Sequence, residues 1–152
     1  MKSAKHKMCD FYDANEFLSQ AIHIDDKIDI ISKTLSDIYA NCDLMKSRMY
    51  GFEKVQTSLN KSNFENAIIK LTEQKERLTE ELKKLVDLKV QIIQTIENVQ
   101  DGEARRFLRW IYLQGETVRS YGEIFGYSEK TASRRKLDAL SKVVIPKDKI
   151  TL

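Results

Sequence analysis

The segment 128–136 concentrates side chains that can donate hydrogen bonds to phosphates and to the edges of bases. Its candidate DNA contacts are Ser128, Glu129, Lys130, Thr131, Ser133, Arg134, Arg135 and Lys136. Arginine and lysine bind phosphate oxygens and guanine acceptors, and serine and threonine hydroxyls bind either phosphates or base edges. This is the chemistry of binding and not of turnover, so we expect the segment to contact double-stranded DNA.

Two short helices separated by Gly126 are predicted to position this segment, and they lie within 117–142. Gly122 is small enough to let the second helix cross close against the first, and Tyr127 can fill the gap between them. Ser128 stands where an N-cap hydroxyl accepts from the free amides of the second helix. The residues predicted to face the core are Val118, Tyr121, Ile124, Phe125, Ala132, Leu137 and Leu140. This layout is typical of a helix-turn-helix.

The charge distribution supports DNA binding more specifically than the helix pattern does. Two helices joined at a glycine also occur in many other all-α proteins. Residues 101–152 contain eleven Lys and Arg against seven Asp and Glu, whereas residues 1–100 contain fifteen against sixteen. The range 129–142 alone has five basic residues and two acidic ones. A helix face that is merely solvated usually mixes its charges, so this excess favours contact with phosphates and predicts salt-sensitive binding.

A further helix is predicted just before this pair, after a joint at 100–103. Asp101 can cap it, and apolar residues return in it at helical spacing: Phe107, Leu108, Ile111 and Tyr112. It would complete a three-helix domain over 101–152. Another of its faces has three arginines, Arg105, Arg106 and Arg109, for which phosphate contact and simple solvation are equally favoured. The tail after Lys142 could pack back on this domain or extend as an arm.

Heptad spacing organises the first hundred residues. Apolar residues recur at alternating steps of four and three from Phe17 to Met49, and again from Phe64 to Val99 with Lys75 and Lys89 in the pattern. The intervening range 50–61 is long enough to reverse the chain, so we expect an antiparallel coiled-coil hairpin. The residues predicted to form the association seam are Ile24, Ile28, Ile31, Leu35, Ile38, Leu71, Leu78, Leu82, Leu85 and Ile92.

The period does not decide whether the seam closes within one chain or between chains. Apolar residues beside the seam widen the stripe beyond what two helices can cover: Leu18, Ile22, Ile30, Leu44, Ile69, Val86, Leu88, Val90 and Ile93. A four-helix arrangement would cover them, which favours a dimer of hairpins or a higher homo-oligomer. The two seam lysines, Lys75 and Lys89, are more simply explained as residues that set the register, or that extend their ammonium groups to solvent, than as functional sites.

A family resemblance is carried by the last fifty residues. The motif consists of Tyr112-Leu113-Gln114-Gly115, Thr117, Gly126-Tyr127-Ser128 and the basic helix closing on Ala139-Leu140. It resembles the sigma-factor region-four type of helix-turn-helix, although Gly122 and Leu137 depart from the usual residues. With a long charged coiled coil before it, the chain is similar to phage and prophage late-gene activators of Gram-positive bacteria. The resemblance implies activation of phage late or packaging genes. We expect the protein in the bacterial cytoplasm, associated with the nucleoid when it is bound to DNA.

Composition and spacing argue against several other classes of protein. Cys9 and Cys42 have no zinc-type spacing with each other or with a histidine, so neither a metal site nor a disulfide framework is expected. His6 and His23 have no catalytic partner at a recognisable spacing, and no phosphate-binding loop is present. We expect no cofactor and no enzymatic activity. No apolar run approaches the roughly 20 residues of a membrane span, and no signal peptide is visible.

The sequence therefore predicts an all-α chain in which a long antiparallel coiled-coil helical hairpin precedes a small C-terminal helix-turn-helix domain. The expected divisions are an N-terminal tail (1–16), the hairpin (17–100) and the DNA-binding domain (101–152). The expected partners are double-stranded DNA, a second copy, and RNA polymerase or another host or phage protein. Two alternatives stay open: a small DNA-packaging subunit that forms a ring, and an interaction protein that sequesters a host or satellite-element factor.

Overall fold

A computed structural model describes the backbone of residues 4–52 and 58–151 and the side chains of residues 11–48 and 62–151. Within these ranges the chain is helical, with short connections and no β-strand, which confirms the all-α prediction. The first part contains α1 (Ala4–Ser19), a turn of 3-10 helix (Gln20–His23), α2 (Ile24–Phe52) and α3 (Ser58–Glu97). The second part contains α4 (Gly102–Leu108), a π-helical turn (Arg109–Leu113), α5 (Val118–Phe125) and α6 (Glu129–Ser141).

The helices of the first hundred residues begin and end at positions that periodicity alone did not give. The range 1–16 was assigned as a tail, but the chain is helical from Ala4. A 3-10 turn at Gln20–His23 interrupts the heptad run near its start. The connection expected at 50–61 is shorter, because α2 continues to Phe52 and α3 begins at Ser58, and residues 53–57 lie outside the described part.

The chain divides into two compact units whose boundaries differ from the predicted domains. The first unit combines residues 1–25 with residues 86–152, and the second unit consists of residues 26–85. The α1 helix and the last third of α3 therefore belong with α4, α5 and α6. Residues 17–100 had been expected to form one hairpin domain, and their two ends lie instead within the first unit.

The core of the first unit surrounds α6, which packs against α1, α4 and α5. Its buried apolar side chains include those at both ends of the heptad pattern. They are Ala14, Phe17, Leu18, Ala21, Ile24, Leu88, Ile92, Ile96, Val99, Ala104, Phe107, Leu108, Ile111, Tyr112, Tyr121, Ala132, Ala139 and Leu140. Complete burial of a leucine, isoleucine or phenylalanine contributes about 1.5–3 kcal/mol, so α1 and the end of α3 contribute strongly to this core.

The second unit has a narrower core. Ile31, Leu35, Ile38 and Leu85 are buried in the chain, whereas other seam residues of this unit are only half-buried. The half-buried ones include Ile28, Leu71, Leu78 and Leu82. The Lys75 ammonium lies 4.5 Å from the centroid of the Tyr39 ring, so this seam lysine contacts an aromatic face of α2.

Two residues that were predicted to face the core are exposed instead. Ile124 is 60% exposed and Leu137 is 56% exposed, so both predictions were wrong. In α5 the inward face is shared by Tyr121 and Gly122, and Ile124 lies about 110° from the centre of that face at 3.6 residues per turn. In α6, Leu137 lies about 150° from the direction of Ala132 and Ala139. Hydrophobic character was mistaken for burial in both cases.

Two buried tyrosines of the first unit differ in the hydrogen bonding of their hydroxyl groups. The Tyr112 hydroxyl donates to Asn15 Oδ1 at 2.5 Å, which links the π-helical turn to α1. Burial of Tyr112 raises the pKa of its hydroxyl to about 12, so the group stays protonated and remains a donor. The Tyr121 hydroxyl is also buried, but it has no hydrogen-bond partner among the described residues.

We expect Tyr112→Phe to lower the free energy of unfolding by about 1 kcal/mol, because it removes a buried hydrogen bond and leaves Asn15 unpaired. The matched change Tyr121→Phe removes the same hydroxyl without removing a hydrogen bond within the chain, so it should cost less. Urea unfolding monitored by circular dichroism measures both. Equal losses in the two variants would contradict this account of the core.

Candidate nucleic-acid interface

The turn between α5 and α6 is closed by local backbone and hydroxyl contacts. Gly126 has φ 74° and ψ 29°, a left-handed conformation that favours glycine, and its amide donates to the Gly122 carbonyl. The Ser128 hydroxyl accepts from the Thr131 amide at 3.2 Å, which confirms its predicted role as the N-cap of α6. Thr117 caps α5 in the same way, accepting from the Ser120 amide at 3.0 Å.

Gly122 of α5 lies close to the turn and to the first residues of α6. A Cβ atom built on this glycine would lie 2.8 Å from the Tyr127 carbonyl oxygen and 3.6 Å from the Ala132 Cβ. The Gly122 carbonyl, which accepts from the Gly126 amide, also accepts from the Tyr127 amide at 2.8 Å. An alanine at this position would therefore collide with the Tyr127 carbonyl of the turn.

Arg135 connects the middle of α6 to α4. Its guanidinium lies 4.0 Å from the centroid of the Tyr127 ring and forms an ion pair with the Glu103 carboxylate. The Tyr127 hydroxyl donates to the same carboxylate at 3.3 Å. Because its charge and its planar face are both in use within the chain, Arg135 is a structural contact between helices in this conformation.

Lys142 connects the end of α6 to the start of α4. Its ammonium donates to Asp101 Oδ2 at 2.5 Å and to Asp138 Oδ2 at 2.7 Å. Asp101 also caps α4, accepting from the amides of Glu103 and Ala104. The hydrogen bond from Lys142 is the main cause that lowers the pKa of Asp101, and in return Asp101 raises the pKa of Lys142. Both groups are thereby kept charged.

The remaining candidate contacts lie on the outward side of α6. Lys130, Ser133 and Arg134 are exposed and make no ion pair or hydrogen bond within the part of the chain that the structure describes. Glu129 and Thr131 are exposed in the first turn, and the Thr131 hydroxyl lies 2.9 Å from that of Ser128. Lys136 is half-buried, with its ammonium 6.0 Å from the centroid of the Tyr112 ring.

The cations of 129–142 thus have different surroundings. Arg135 and Lys142 are paired with carboxylates of the same unit, while Lys130 and Arg134 present free charge to solvent. From the sequence alone, every basic residue of 129–142 was equally a candidate for contact with phosphates. The pairing could not be read from it, because Glu103 and Asp101 lie 32 and 41 residues earlier in the chain.

The arginine face of the preceding helix is largely occupied by contacts within the unit. Arg109 binds the Glu97 carboxylate through two nitrogens, with Nε 2.7 Å from Oε1. The Arg106 guanidinium lies 5.3 Å from the centroid of the Phe125 ring. Trp110 contacts the rings of Tyr121 and Phe125. These contacts favour a structural role for Arg109 over direct binding to phosphates.

The tail after Lys142 returns to α3, and a residue that sequence reasoning did not select holds it there. The side-chain amide of Gln91 donates to the Asp148 carbonyl and accepts from the Ile150 amide, each at 2.9 Å. The tail therefore packs against α3 and not on the predicted domain 101–152, an arrangement that neither alternative described. No local signal marked Gln91, since its partners lie 57 and 59 residues away.

The predicted association residues are distributed over both units. Ile24 and Ile92 are buried in the first unit. The other buried members, Ile31, Leu35, Ile38 and Leu85, lie in the second unit. The half-buried members named above retain exposed apolar surface, and so do residues beside the seam: Ile22, Ile30, Leu44, Ile69, Val86 and Val90. Leu18 and Leu88 were also counted beside the seam, but both are completely buried in the first unit.

No family model, curated protein or solved structure matches this chain. None of the helices in the described ranges is long and apolar enough to cross a membrane. The same part of the chain contains no cluster of three histidine, cysteine or carboxylate side chains arranged to hold a metal ion. The geometry and charges of α6 and its surroundings are therefore what indicates a function.

We expect Gly122→Ala to destabilise the protein by about 1–3 kcal/mol, because the new methyl group would overlap the Tyr127 carbonyl. Helix propensity alone predicts the opposite sign, a gain of about 1 kcal/mol. Gly102→Ala is the matched control, since its Cβ would approach only the end of the Arg105 side chain, at 4.0 Å. Thermal and urea unfolding measure both variants, and a stabilised Gly122→Ala protein would rule out the close approach of Gly122 to the Tyr127 carbonyl.

Proposed function

We propose that this chain is a sequence-specific double-stranded DNA-binding protein that places α6 in the major groove. The observation that carries the proposal is the free, outward group of Lys130, Ser133 and Arg134 on α6. An α-helix fits the major groove of B-DNA, where arginine and lysine bind guanine acceptors and serine binds several groups. The ion pairs of Arg135 and Lys142 would keep the helix fixed while its outer face binds.

The charge of the C-terminal segment supports binding to a polyanion. Residues 101–152 have eleven basic and seven acidic side chains. Several of these charges cancel in pairs such as Arg135 with Glu103 and Lys142 with Asp101. Lys130 and Arg134 form no such pair, so they could bind a phosphate without first breaking an ion pair within the chain. Release of counterions from DNA would then add a salt-dependent contribution to affinity.

The biological role that we propose is transcription regulation, as a phage or prophage activator of late or packaging genes. The support is the resemblance of the region 112–140 to the sigma-factor region-four type of helix-turn-helix. The caps at Thr117 and Ser128 and the left-handed Gly126 are compatible with that motif. In this role the chain is not an enzyme and acts in the bacterial cytoplasm, with RNA polymerase or another host or phage protein as a further partner.

We further propose that α2 and α3 form an antiparallel coiled-coil hairpin. One contact between the two helices in each unit supports this arrangement: Lys89 pairs with Asp25 in the first, and Lys75 contacts Tyr39 in the second. Asp25 and Tyr39 are fourteen residues apart on α2, and their partners are fourteen residues apart in the opposite direction on α3. Fourteen residues are two heptads, the relation expected of antiparallel helices in register.

Association of two or more copies through this region is the final part of the proposal. Ile30, Leu44 and Ile69 are each more than half exposed in the second unit. Single exposed apolar residues are common, but these lie in long helices whose seam residues are themselves only half-buried. A second copy would cover both sets. A dimer would also present two α6 helices to DNA, so its binding site would contain two related half-sites.

Lys130→Ala and Arg134→Ala should each weaken binding to a duplex selected by the wild-type protein. A lost base contact costs about 1–3 kcal/mol and relaxes specificity at one position, whereas a lost phosphate contact lowers the salt slope by about one. Fluorescence anisotropy across a salt titration distinguishes the two kinds of contact.

Lys84→Ala is the control for these variants, because Lys84 is an exposed lysine of α3 in the second unit. It removes one positive charge without changing α6. Wild-type affinity in both α6 variants, or an equal loss in the Lys84 variant, would argue against a reading role for this helix.

Ile30→Asp should abolish or weaken self-association while leaving the fold intact, because Ile30 is 65% exposed in the single chain. Ile31→Asp is the contrasting change, since Ile31 is buried and an unpaired buried charge should unfold the second unit. Sedimentation and light scattering at tens of micromolar report association, and circular dichroism reports folding. A wild-type protein that is monomeric under these conditions would overturn the dimer.

A further inference from the structure

Leu137 lies on the outward face of α6, among the side chains that the proposed function assigns to DNA. It is 56% exposed, although it is a large apolar residue. At 3.6 residues per turn, Lys130, Arg134 and Leu137 lie within about 60° of one another around the helix. The buried Ala132 and Ala139 are on the opposite side. Leu137 therefore continues the row of free cations along the helix.

The chemical surroundings of Leu137 restrict what could cover it. Lys130 and Arg134 carry charges that no described residue neutralises. An apolar protein surface laid over Leu137 would bury these cations without a partner, which is costly. A DNA major groove offers phosphates and base acceptors to the cations and also offers an apolar group, the C5-methyl of thymine.

The distance along the helix also fits a single groove. Leu137 is seven residues beyond Lys130, a rise of about 10.5 Å, so both residues can face one stretch of duplex. Adjacent base pairs are about 3.4 Å apart along the duplex axis, so a helix lying along that axis would pass about three base pairs over this rise. Contacts by the first turn and by Leu137 would then involve different base pairs of one half-site.

We propose that Leu137 is a specificity-determining residue that contacts the methyl group of a thymine in the bound DNA. The inference rests on the proposed function, because it requires α6 to lie in the major groove. It adds a requirement that hydrogen bonding alone does not impose, namely an A·T pair in one orientation at the position next to Leu137. Because a methyl group is uncharged, this preference for thymine would depend neither on the salt concentration nor on the contacts to phosphates.

The test uses the full-length protein and a duplex enriched from random sequence by the wild type. Each thymine of that duplex is replaced in turn by deoxyuridine, which keeps every hydrogen-bonding group and lacks only the methyl. At one position of each half-site the wild type should bind about three- to fivefold more weakly, the effect of one buried methyl group. Leu137→Ala should bind the thymine duplex more weakly and show no preference between thymine and deoxyuridine at that position.

Two controls separate this contact from other effects. Ile124→Ala removes an exposed apolar residue of α5 and should keep the wild-type preference for thymine. Lys130→Ala should bind more weakly overall and also keep that preference. Because Leu137 is exposed, Leu137→Ala should unfold at the wild-type urea concentration, so a change in discrimination would not reflect loss of the fold.

The outcomes distinguish the inference from the function on which it rests. An enriched duplex that the wild type binds equally well with thymine or deoxyuridine at every position overturns the role of Leu137 alone. Full thymine preference in Leu137→Ala does the same, and so does an enriched site without thymine. Failure of the wild type to enrich any duplex overturns the proposed function and this inference together.

Discussion

The close packing of α6 through small residues is the constraint on which the first unit depends. Ala132 and Ala139 are buried on one side of this helix, and Gly122 of α5 can approach because it has no Cβ. Leu140 is buried beside them, and the helix packs against α1, α4 and α5. The row of Lys130, Arg134 and Leu137 lies on the side of the helix opposite the two alanines and remains exposed.

Electrostatic contacts then fix the orientation of that row. Arg135 and Lys142 engage Glu103 and Asp101 near the start of α4, so the middle and the end of α6 are each tied to the same turn. These pairs are partly exposed and each stabilises little by itself. Their effect is geometric, since together they oppose rotation of α6 about its axis, and a rotation of one residue would turn Leu137 or Lys130 away from the common face.

Much of the local structure could be predicted from the sequence, because its determinants lie within a few residues. Ser128 and Gly126 identified the turn, and the all-helical class followed from apolar spacing. What could not be predicted depends on distant partners: α1 joining residues 86–152, Gln91 holding the tail, and Arg135 pairing with Glu103. Ile124 and Leu137 were misplaced because a periodic pattern locates a face only approximately, and a residue at its margin can fall on either side.

The misplacement of Leu137 is physically informative. A leucine in the core of α6 would serve stability, whereas the same leucine in solvent forgoes the burial of its side chain, worth about 1.5–3 kcal/mol in a folded core. An exposed leucine needs no explanation when it stands alone. Leu137 lies on the same face as Lys130 and Arg134, and these two cations form no ion pair within the described part of the chain. Apolar and cationic groups left unsatisfied together on one helix face are complementary to a surface that presents methyl groups beside phosphates, and the major groove is such a surface.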